Sequence, residues 1–243
     1  MGAEPRFTPP HAWTVSPEEA VAIQRELRRS LRIEPLARDV RWVAAVDTGF
    51  ADQGATARAA VVLFSYPELE CVESHLAFQP VRFPYVPGLL SFRELPVVLE
   101  ALERLSRLPD LIVCDGQGIA HPRRLGIAAH LGLVTDLPTI GVGKSRLIGQ
   151  HEEPGDEKGD WTPLLHHGER IGSVLRTRSG VKPLFVSPGH RSDHDDAIQW
   201  VLALTTRYRL PEPIRSADRL ASDRDRKRAE AARRKTAAAT SPH

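Results

Sequence analysis

Two aspartates stand at the ends of apolar segments that are typical of buried strands. Asp47 follows Val43-Ala44-Ala45-Val46, and Asp115 follows Leu111-Ile112-Val113-Cys114, with a glycine close behind each. A buried carboxylate is strongly unfavourable unless it is paired or bound to a metal. Aspartate is also a common turn former at strand ends, which is the alternative for each residue alone. Because both follow the same pattern, and hard cations prefer carboxylate oxygens, the pair favours a shared divalent cation.

A third carboxylate and an aromatic side chain occur between the two aspartates. Glu94 could support the metal, but Ser91 lies three residues before it, so a capping box at a helix start explains it equally well. Tyr85 stands in the loop 84–88, which its prolines stiffen. A rigid aromatic tip can separate stacked bases, although an ordinary surface tyrosine is the alternative.

Basic side chains follow the glycine turn and two later strands. His121 and Arg123 directly precede a helix that is predicted to begin at residue 124, and cations are unfavourable at a helix N-terminus. A bound phosphate would relieve that conflict; the alternative is a solvated basic helix start. Lys144 follows a buried strand and is either a phosphate contact or a surface lysine. His190 and Arg191 precede another predicted helix and are candidate phosphate contacts.

The elements that must position these residues follow from apolar periodicity and turn residues. The sequence predicts strands at 41–48, 58–66, 70–79, 111–115, 138–143, 171–177 and 183–187. It predicts helices at 16–32, 91–107, 124–135 and 192–207. The early strands have hairpin spacing, whereas the later ones alternate with helices. We therefore expect an α/β fold: a mixed sheet of three antiparallel strands followed by parallel strands, flanked by helices, with its site at strand ends.

The composition is that of a globular protein. The chain has 243 residues, of which 41% are hydrophobic and 26% charged, enough for one large domain. No apolar run reaches the roughly 18 residues that span a membrane, and no signal peptide is recognised. We expect no membrane partner and a cytoplasmic location. Cys71 and Cys114 lie in apolar runs and are predicted to be small buried side chains in a reducing compartment.

Three regions are predicted along the chain. Residues 1–15 contain several prolines and form a flexible N-terminal arm, and residues 16–221 form a single catalytic domain. Residues 222–243 form a basic, Ala-rich tail with seven Lys/Arg against three Asp/Glu, a net charge of 7 − 3 = +4. Such a tail either holds nucleic acid or is solvated and disordered.

Taken together, these segments resemble the endonuclease V family, nucleases that act beside deaminated purines. The matching segments occur in the family's order and cover most of residues 40–220: 46–50, 84–94, 115–126, 138–147, 189–191 and 208–218. Gln117 departs from the pattern, since a histidine is frequent at that position.

The resemblance implies a ribonuclease H-like fold with a five-stranded mixed sheet. It also implies a DNA repair endonuclease that uses Mg²⁺, or Mn²⁺ in its place, to hydrolyse the second phosphodiester bond 3′ to deoxyinosine, leaving a 5′-phosphate and a 3′-hydroxyl. Asp47 and Asp115 match the family's metal ligands, Glu94 its supporting carboxylate, and Asp218 a position that carries a further acidic or histidine group. The other matches are the wedge Tyr85, the active-site positions Lys144 and His121, and the pocket for a flipped base, with Pro87, Gly88, Leu90, Gly116, Ile127 and Leu147.

Other functions stay open at this point. One is an inosine-directed ribonuclease, or another ribonuclease H-like nuclease, which would make inosine-containing RNA the partner. Another is a protein that binds modified nucleic acid without cutting it. The presence of both strand-end aspartates argues against a binder that has no catalytic activity.

Overall fold

A computed structural model describes residues 5–36 and 39–222. The predicted tail, residues 222–243, lies outside the described part except for Ser222. Within those ranges the strands are β1 (Trp42–Ala51), β2 (Thr56–Ser65), β3 (Cys71–Pro80), β4 (Leu111–Asp115), β5 (Thr139–Gly143), β6 (Trp161–His166), β7 (Glu169–Leu175) and β8 (Leu184–Pro188). The α-helices are α1 (Pro17–Leu27), α2 (Leu90–Glu103), α3 (Ile127–Thr135), α4 (His194–Ala203) and α5 (Glu212–Ala221). None of the helices in these ranges is long and apolar enough to cross a membrane.

One mixed sheet has the strand order β3-β2-β1-β4-β5-β8-β7-β6. β1 is antiparallel to β2, and β2 to β3, whereas β1, β4 and β5 are mutually parallel. This confirms the predicted mixed sheet. β8, β7 and β6 extend it beyond the five strands that the resemblance implied, and all three pair antiparallel. The reason is that the chain after β5 forms the β6–β7 hairpin, whereas parallel neighbours need a crossover of a dozen or more residues.

The core lies on both faces of this sheet. On β1, Ala44 and Val46 pack in the cluster that includes α2 and α3, and Val43 and Ala45 pack in the cluster that includes α4 and α5. β4 alternates in the same way. Strands buried on both faces read as continuous apolar runs, which is why β1 and β4 are recognisable in the sequence. Because side chains alternate between faces, Asp47, the next residue of β1, points toward the α4–α5 face.

The start of α1 agrees with the prediction, whereas the starts of α2 and α3 differ from it. α1 begins after Ser16 with the predicted cap, in a capping box with Glu19. The capping box at Ser91, one of the two alternatives for Glu94, is not formed, because α2 starts one residue earlier and the Ser91 hydroxyl pairs with Nδ1 of His130 at 2.9 Å. α3 begins at Ile127 and not at Arg124, whose φ of 58° is incompatible with a helix.

The N-terminal segment and the cysteines also depend on tertiary packing. Residues 5–15 have no helix or strand, yet Phe7 is buried in the core and Trp13 packs against two core clusters.

Cys114 is buried as predicted, but the prediction for Cys71 is wrong, since it is exposed at the start of the edge strand β3.

Candidate active site

Asp47 and Asp115 lie side by side where the pairing of β1 with β4 stops. Asp115 ends β4 as expected, whereas Asp47 lies in the middle of β1, which continues to Ala51. Val46 pairs with Cys114 in the β1–β4 register, so the two aspartates that follow face the same side of the sheet. Neighbouring strands are about 4.8 Å apart, a separation at which two carboxylates can share a cation. Lys144, directly after β5, forms an ion pair through Nζ with Oδ2 of Asp115.

The aspartate pair carries more negative charge than its surroundings neutralise. Burial, followed by the charges of Asp115 and Asp218, raises the pKa of Asp47 to about 7, against the lowering effect of a backbone hydrogen bond from Thr48. Burial alone would lower the pKa of Lys144, but its hydrogen bond to Asp115 and the charges of the three aspartates raise it. The site therefore favours positive charge.

Glu94 approaches the pair from the other side of the sheet. This residue of α2 is 8% exposed. Burial, together with the charges of Asp47 and Asp115, raises its pKa to about 7, although a hydrogen bond from the Thr48 side chain opposes the shift. Thr48 follows Asp47 and alternates toward the α2 face. Within residues 5–36 and 39–222, no three His, Cys, Asp or Glu side chains form a metal-binding group.

The donor chemistry nevertheless fits a hard divalent cation. Mg²⁺ is usually held by one or two carboxylates and completes its shell with waters and substrate phosphates. Asp47 and Asp115 supply two carboxylates from a rigid pair of strands. The Lys144 ammonium forms an ion pair with Oδ2 of Asp115, which shows that this carboxylate oxygen binds a positive charge in the folded protein. Two ligands are enough for such a site, and a closed cage is not required.

A pocket of about 280 Å³ lies between the loop 84–88 and the first turns of α2 and α3, and its lining includes Gly116, which directly follows Asp115. It is small among ligand pockets, which span roughly 300–1,000 Å³. It is lined by all six residues that the resemblance implied for the base pocket and also by the wedge Tyr85 and by His121: Tyr85, Pro87, Gly88, Leu90, Gly116, His121, Ile127 and Leu147. It also includes residues that sequence reasoning missed, among them Gln24, Ser91, Gln117, Leu125 and Arg146. A larger groove, of about 690 Å³, runs along the N-terminal segment and α2 and touches neither aspartate.

The carbonyl oxygen of Gly88 anchors the pocket loop. It accepts hydrogen bonds from Gln24 Nε2 at 3.1 Å, His121 Nε2 at 3.0 Å and an Arg123 guanidinium nitrogen at 2.7 Å. Since His121 donates through Nε2, its Nδ1 accepts from the backbone N–H of Arg123. Burial, followed by the charge of Arg123, lowers the pKa of His121 to about 4, so the imidazole is neutral at physiological pH. His121 and Arg123 therefore hold this loop in place.

The anchored loop exposes Tyr85 at its tip. Phe83 and Leu89, on either side, are buried in a cluster with Phe92, whereas Tyr85 is 71% exposed. Gly88 has a φ of +79°, and a Cβ there would lie 2.8 Å from the Arg123 guanidinium. The turn therefore requires glycine, and the aromatic ring is held outward next to the pocket.

His190 and Arg191 do not join this site. The N–H of Thr139, the first residue of β5, donates to the His190 carbonyl, whereas Lys144 follows the last residue of that strand. Their side chains instead bind Asp136, at 3.2 Å from His190 Nε2 and 3.0 Å from an Arg191 nitrogen. Because β8 runs antiparallel to β5, the residues after β8 reach the opposite end of the sheet. The expected phosphate contacts at this position therefore lie away from the aspartates.

Comparison with known proteins identifies close relatives. The model of the Endonuclease V family matches residues 25–219. Endonuclease V of Trichormus variabilis is 56% identical over 216 residues, which cover 88% of this chain and 98% of that protein. The crystal structure of Endonuclease V from Streptomyces avermitilis superposes with a TM-score of 0.84 at 47% identity, covering 91% of this chain and 98% of that one.

A second related structure contains nucleic acid. Ciona intestinalis Endonuclease V, in complex with a 24mer DNA containing an inosine followed by a ribo-adenosine, has a TM-score of 0.75 at 27% identity. The match covers 86% of this chain and 98% of that one. These neighbours confirm that the mixed sheet and its helices form a ribonuclease H-like fold.

Proposed function

Because this chain belongs to the endonuclease V family of nucleases, we propose that it is a DNA repair endonuclease that recognises deoxyinosine. It hydrolyses the second phosphodiester bond 3′ to the lesion and leaves a 5′-phosphate and a 3′-hydroxyl. The main support is the position of Asp47 and Asp115 on adjacent parallel strands, next to a pocket sized for one base. The inosine-containing DNA bound by the Ciona relative also supports it.

In this proposal Asp47 and Asp115 hold Mg²⁺, for which Mn²⁺ can substitute. Such a cation activates water and stabilises the charge that develops on a cleaved phosphodiester. Glu94 and Asp218 add negative charge around the pair. The charge of Asp218 raises the pKa of Asp47, and the charges of Asp47 and Asp115 raise the pKa of Glu94. Lys144 balances the charge of Asp115 and is available for a phosphate oxygen when a cation binds the aspartates.

The pocket residues and Tyr85 recognise the lesion. Unstacking a base costs a few kcal/mol and costs least for a mispaired one. Tyr85, exposed on its anchored loop, would enter the base stack while the purine occupies the pocket. No described side chain caps α2. The N–H of Phe92 donates to the Leu89 carbonyl, and the N–H groups that precede it in the first turn of α2 are available to a purine carbonyl oxygen. His121 and Arg123 keep this loop in position through Gly88.

A nicking assay tests this function. An end-labelled duplex with one deoxyinosine is incubated with the native protein, Asp47→Asn, Asp115→Asn and, as a matched control, a variant of the exposed Asp39. We expect a nick at the second bond 3′ to deoxyinosine, dependent on Mg²⁺, abolished by the two site variants and unchanged by Asp39→Asn. Deoxyadenosine at the same position should not be cut.

Two other outcomes would replace the proposal. Cleavage of the inosine-containing RNA of the same sequence, with the DNA left intact, would identify an inosine-directed ribonuclease. Retained binding without a cut at any Mg²⁺ or Mn²⁺ concentration would identify a binder of modified nucleic acid. Equal nicking by the native protein and both aspartate variants would remove the two aspartates from the mechanism.

A further inference from the structure

Three side chains form a hydrogen-bonded chain from the N-terminal segment to the wall of the pocket. Nε2 of His11 lies 2.8 Å from Nε2 of His130, and Nδ1 of His130 lies 2.9 Å from Oγ of Ser91. His130 is fully buried in α3, and Ser91, which lines the pocket, is 3% exposed. The capping box that the sequence suggested for Ser91 is therefore replaced by a link between two distant elements.

The direction of every hydrogen bond in this chain is fixed at its outer end. Nδ1 of His11 lies 2.9 Å from the carbonyl oxygen of Ala12. A carbonyl only accepts, so this nitrogen carries the proton, and Nε2 of a neutral His11 accepts. His130 must then donate through Nε2 and accept through Nδ1. The Ser91 hydroxyl is left with one role, which is to donate its proton to His130.

The surroundings keep both imidazoles neutral. The rings pack against aromatic side chains, with centroids 4.5 Å apart between His11 and Trp13 and 5.2 Å apart between His130 and Phe92. Burial lowers the pKa of His11, and burial followed by the charge of His11 lowers that of His130 to about 3. Each ring therefore has one donor and one acceptor at physiological pH, as the hydrogen bonds from His11 through His130 to Ser91 require.

We propose that Ser91 is a specificity-determining residue, which offers the bound base only oxygen lone pairs and so selects a purine that carries a hydrogen on N1. This inference rests on the proposed function and names the feature of the base that is read. Hypoxanthine has an N1–H donor next to its C6 carbonyl, and Ser91 can accept the first while backbone N–H groups of α2 donate to the second. Adenine has an acceptor at N1, so two acceptors would face each other across the contact.

The expected effect is large because the pocket wall is buried. A site that hydrogen-bonds a substrate group discriminates strongly against an analogue without it, since the buried partner is left unpaired. We expect one such contact to be worth roughly 10- to 100-fold in affinity. Guanine also carries an N1–H, so Ser91 should not contribute to discrimination against guanine.

The test measures binding without cleavage. Fluorescence anisotropy in EDTA gives the Kd for oligonucleotides with deoxyinosine, deoxyadenosine or deoxyguanosine at one position. Ser91→Ala should weaken deoxyinosine binding about 10- to 100-fold and should not weaken deoxyadenosine binding, because the repulsion between the Ser91 oxygen and N1 of adenine is lost. Ser179→Ala, in an exposed loop, is the matched control and should bind like the native protein. His11→Ala, which frees His130 to change tautomer, should lower the preference for deoxyinosine over deoxyadenosine several-fold.

A second measurement is independent of nucleic acid and of folding defects in the variants. Nitrogen-15 NMR of the native protein should show the proton on Nε2 of His130 and on Nδ1 of His11. A proton on Nδ1 of His130, or native affinity for deoxyinosine in Ser91→Ala, would overturn the role of Ser91 and leave the proposed function intact. Failure of the native protein to prefer deoxyinosine would reject both.

Discussion

Asp47→Asn should stabilise the cation-free protein at neutral and alkaline pH, although it should abolish cleavage. The pKa of Asp47 is about 7 in the folded protein and 3.8 for a free aspartate. A folded-state pKa raised in this way gives stability that is fully present below about pH 4 and is lost as the pH rises through about 7. The difference between these two pKa values corresponds to a loss of about 4 kcal/mol in the free energy of unfolding. Solvent screening of this partly exposed side chain reduces that loss to roughly 2 kcal/mol.

An asparagine avoids that loss because it does not ionise. The two proteins should therefore have the same unfolding free energy near pH 4, and the variant should gain an advantage of roughly 2 kcal/mol by pH 8. Urea unfolding in EDTA between these pH values measures the difference directly. Adding Mg²⁺ at pH 8 should reverse the order, because a cation that binds only the folded native protein stabilises it by mass action.

The result that refutes this reasoning is a pH dependence that is the same in both proteins. It would mean that the pKa of Asp47 is the same in the folded and unfolded protein. The acidic pair would then have no excess negative charge for a cation to neutralise. The exposed Asp39→Asn variant serves as the control for the loss of one carboxylate and should match the native protein at every pH.

Three further substitutions test the remaining parts of the site. Tyr85→Ala should leave the unfolding free energy within about 0.5 kcal/mol, because the ring is exposed, but should weaken binding to a deoxyinosine duplex roughly 10-fold by anisotropy; an unchanged Kd would reject the wedge. Gly88→Ala should lower the free energy of unfolding by more than about 1 kcal/mol, since the new Cβ meets Arg123. Gly180→Ala is the control, because Gly180 has a φ of +69° and open space around its Cβ, so this variant should show only the backbone strain. Equal losses in the two variants would exclude an effect of the contact with Arg123. Lys144→Met should raise the pKa of Asp47 further, because the ammonium lowers it; carbon-13 NMR titration in EDTA checks this, and a lower pKa would contradict the charge assignment.

The strands and their acidic ends were predictable because they depend on local pattern. Buried parallel strands such as β4 are short apolar runs, and a carboxylate directly after such a run is conspicuous. The apolar runs before Asp47 and Asp115 pair in parallel and in register, so the proximity of the two aspartates followed from their equal positions after the two runs, although β1 continues to Ala51. The pocket loop was equally visible, since its prolines restrict the backbone and Gly88 permits the positive φ of a turn.

What could not be predicted depends on strand direction and on contacts between distant segments. β6 contains Pro163 and has an irregular register between Leu164 and Leu165, so it lacks the pattern of a regular strand. His190 follows a strand whose antiparallel direction takes it to the far end of the sheet, which no local signal indicates. Ser91 precedes Glu94 at capping-box spacing, and only the packing of α2 on α3 gives its hydroxyl a different partner.

Mn²⁺ binding, followed by electron paramagnetic resonance, shows whether Asp47 and Asp115 bind one cation together. The native protein should bind Mn²⁺, and Mg²⁺ should compete for the same site. Asp47→Asn and Asp115→Asn should each lose most of the affinity, and the double variant should lose little more, because the two carboxylates act on one ion. Independent, additive losses, or native affinity in either single variant, would contradict the shared site.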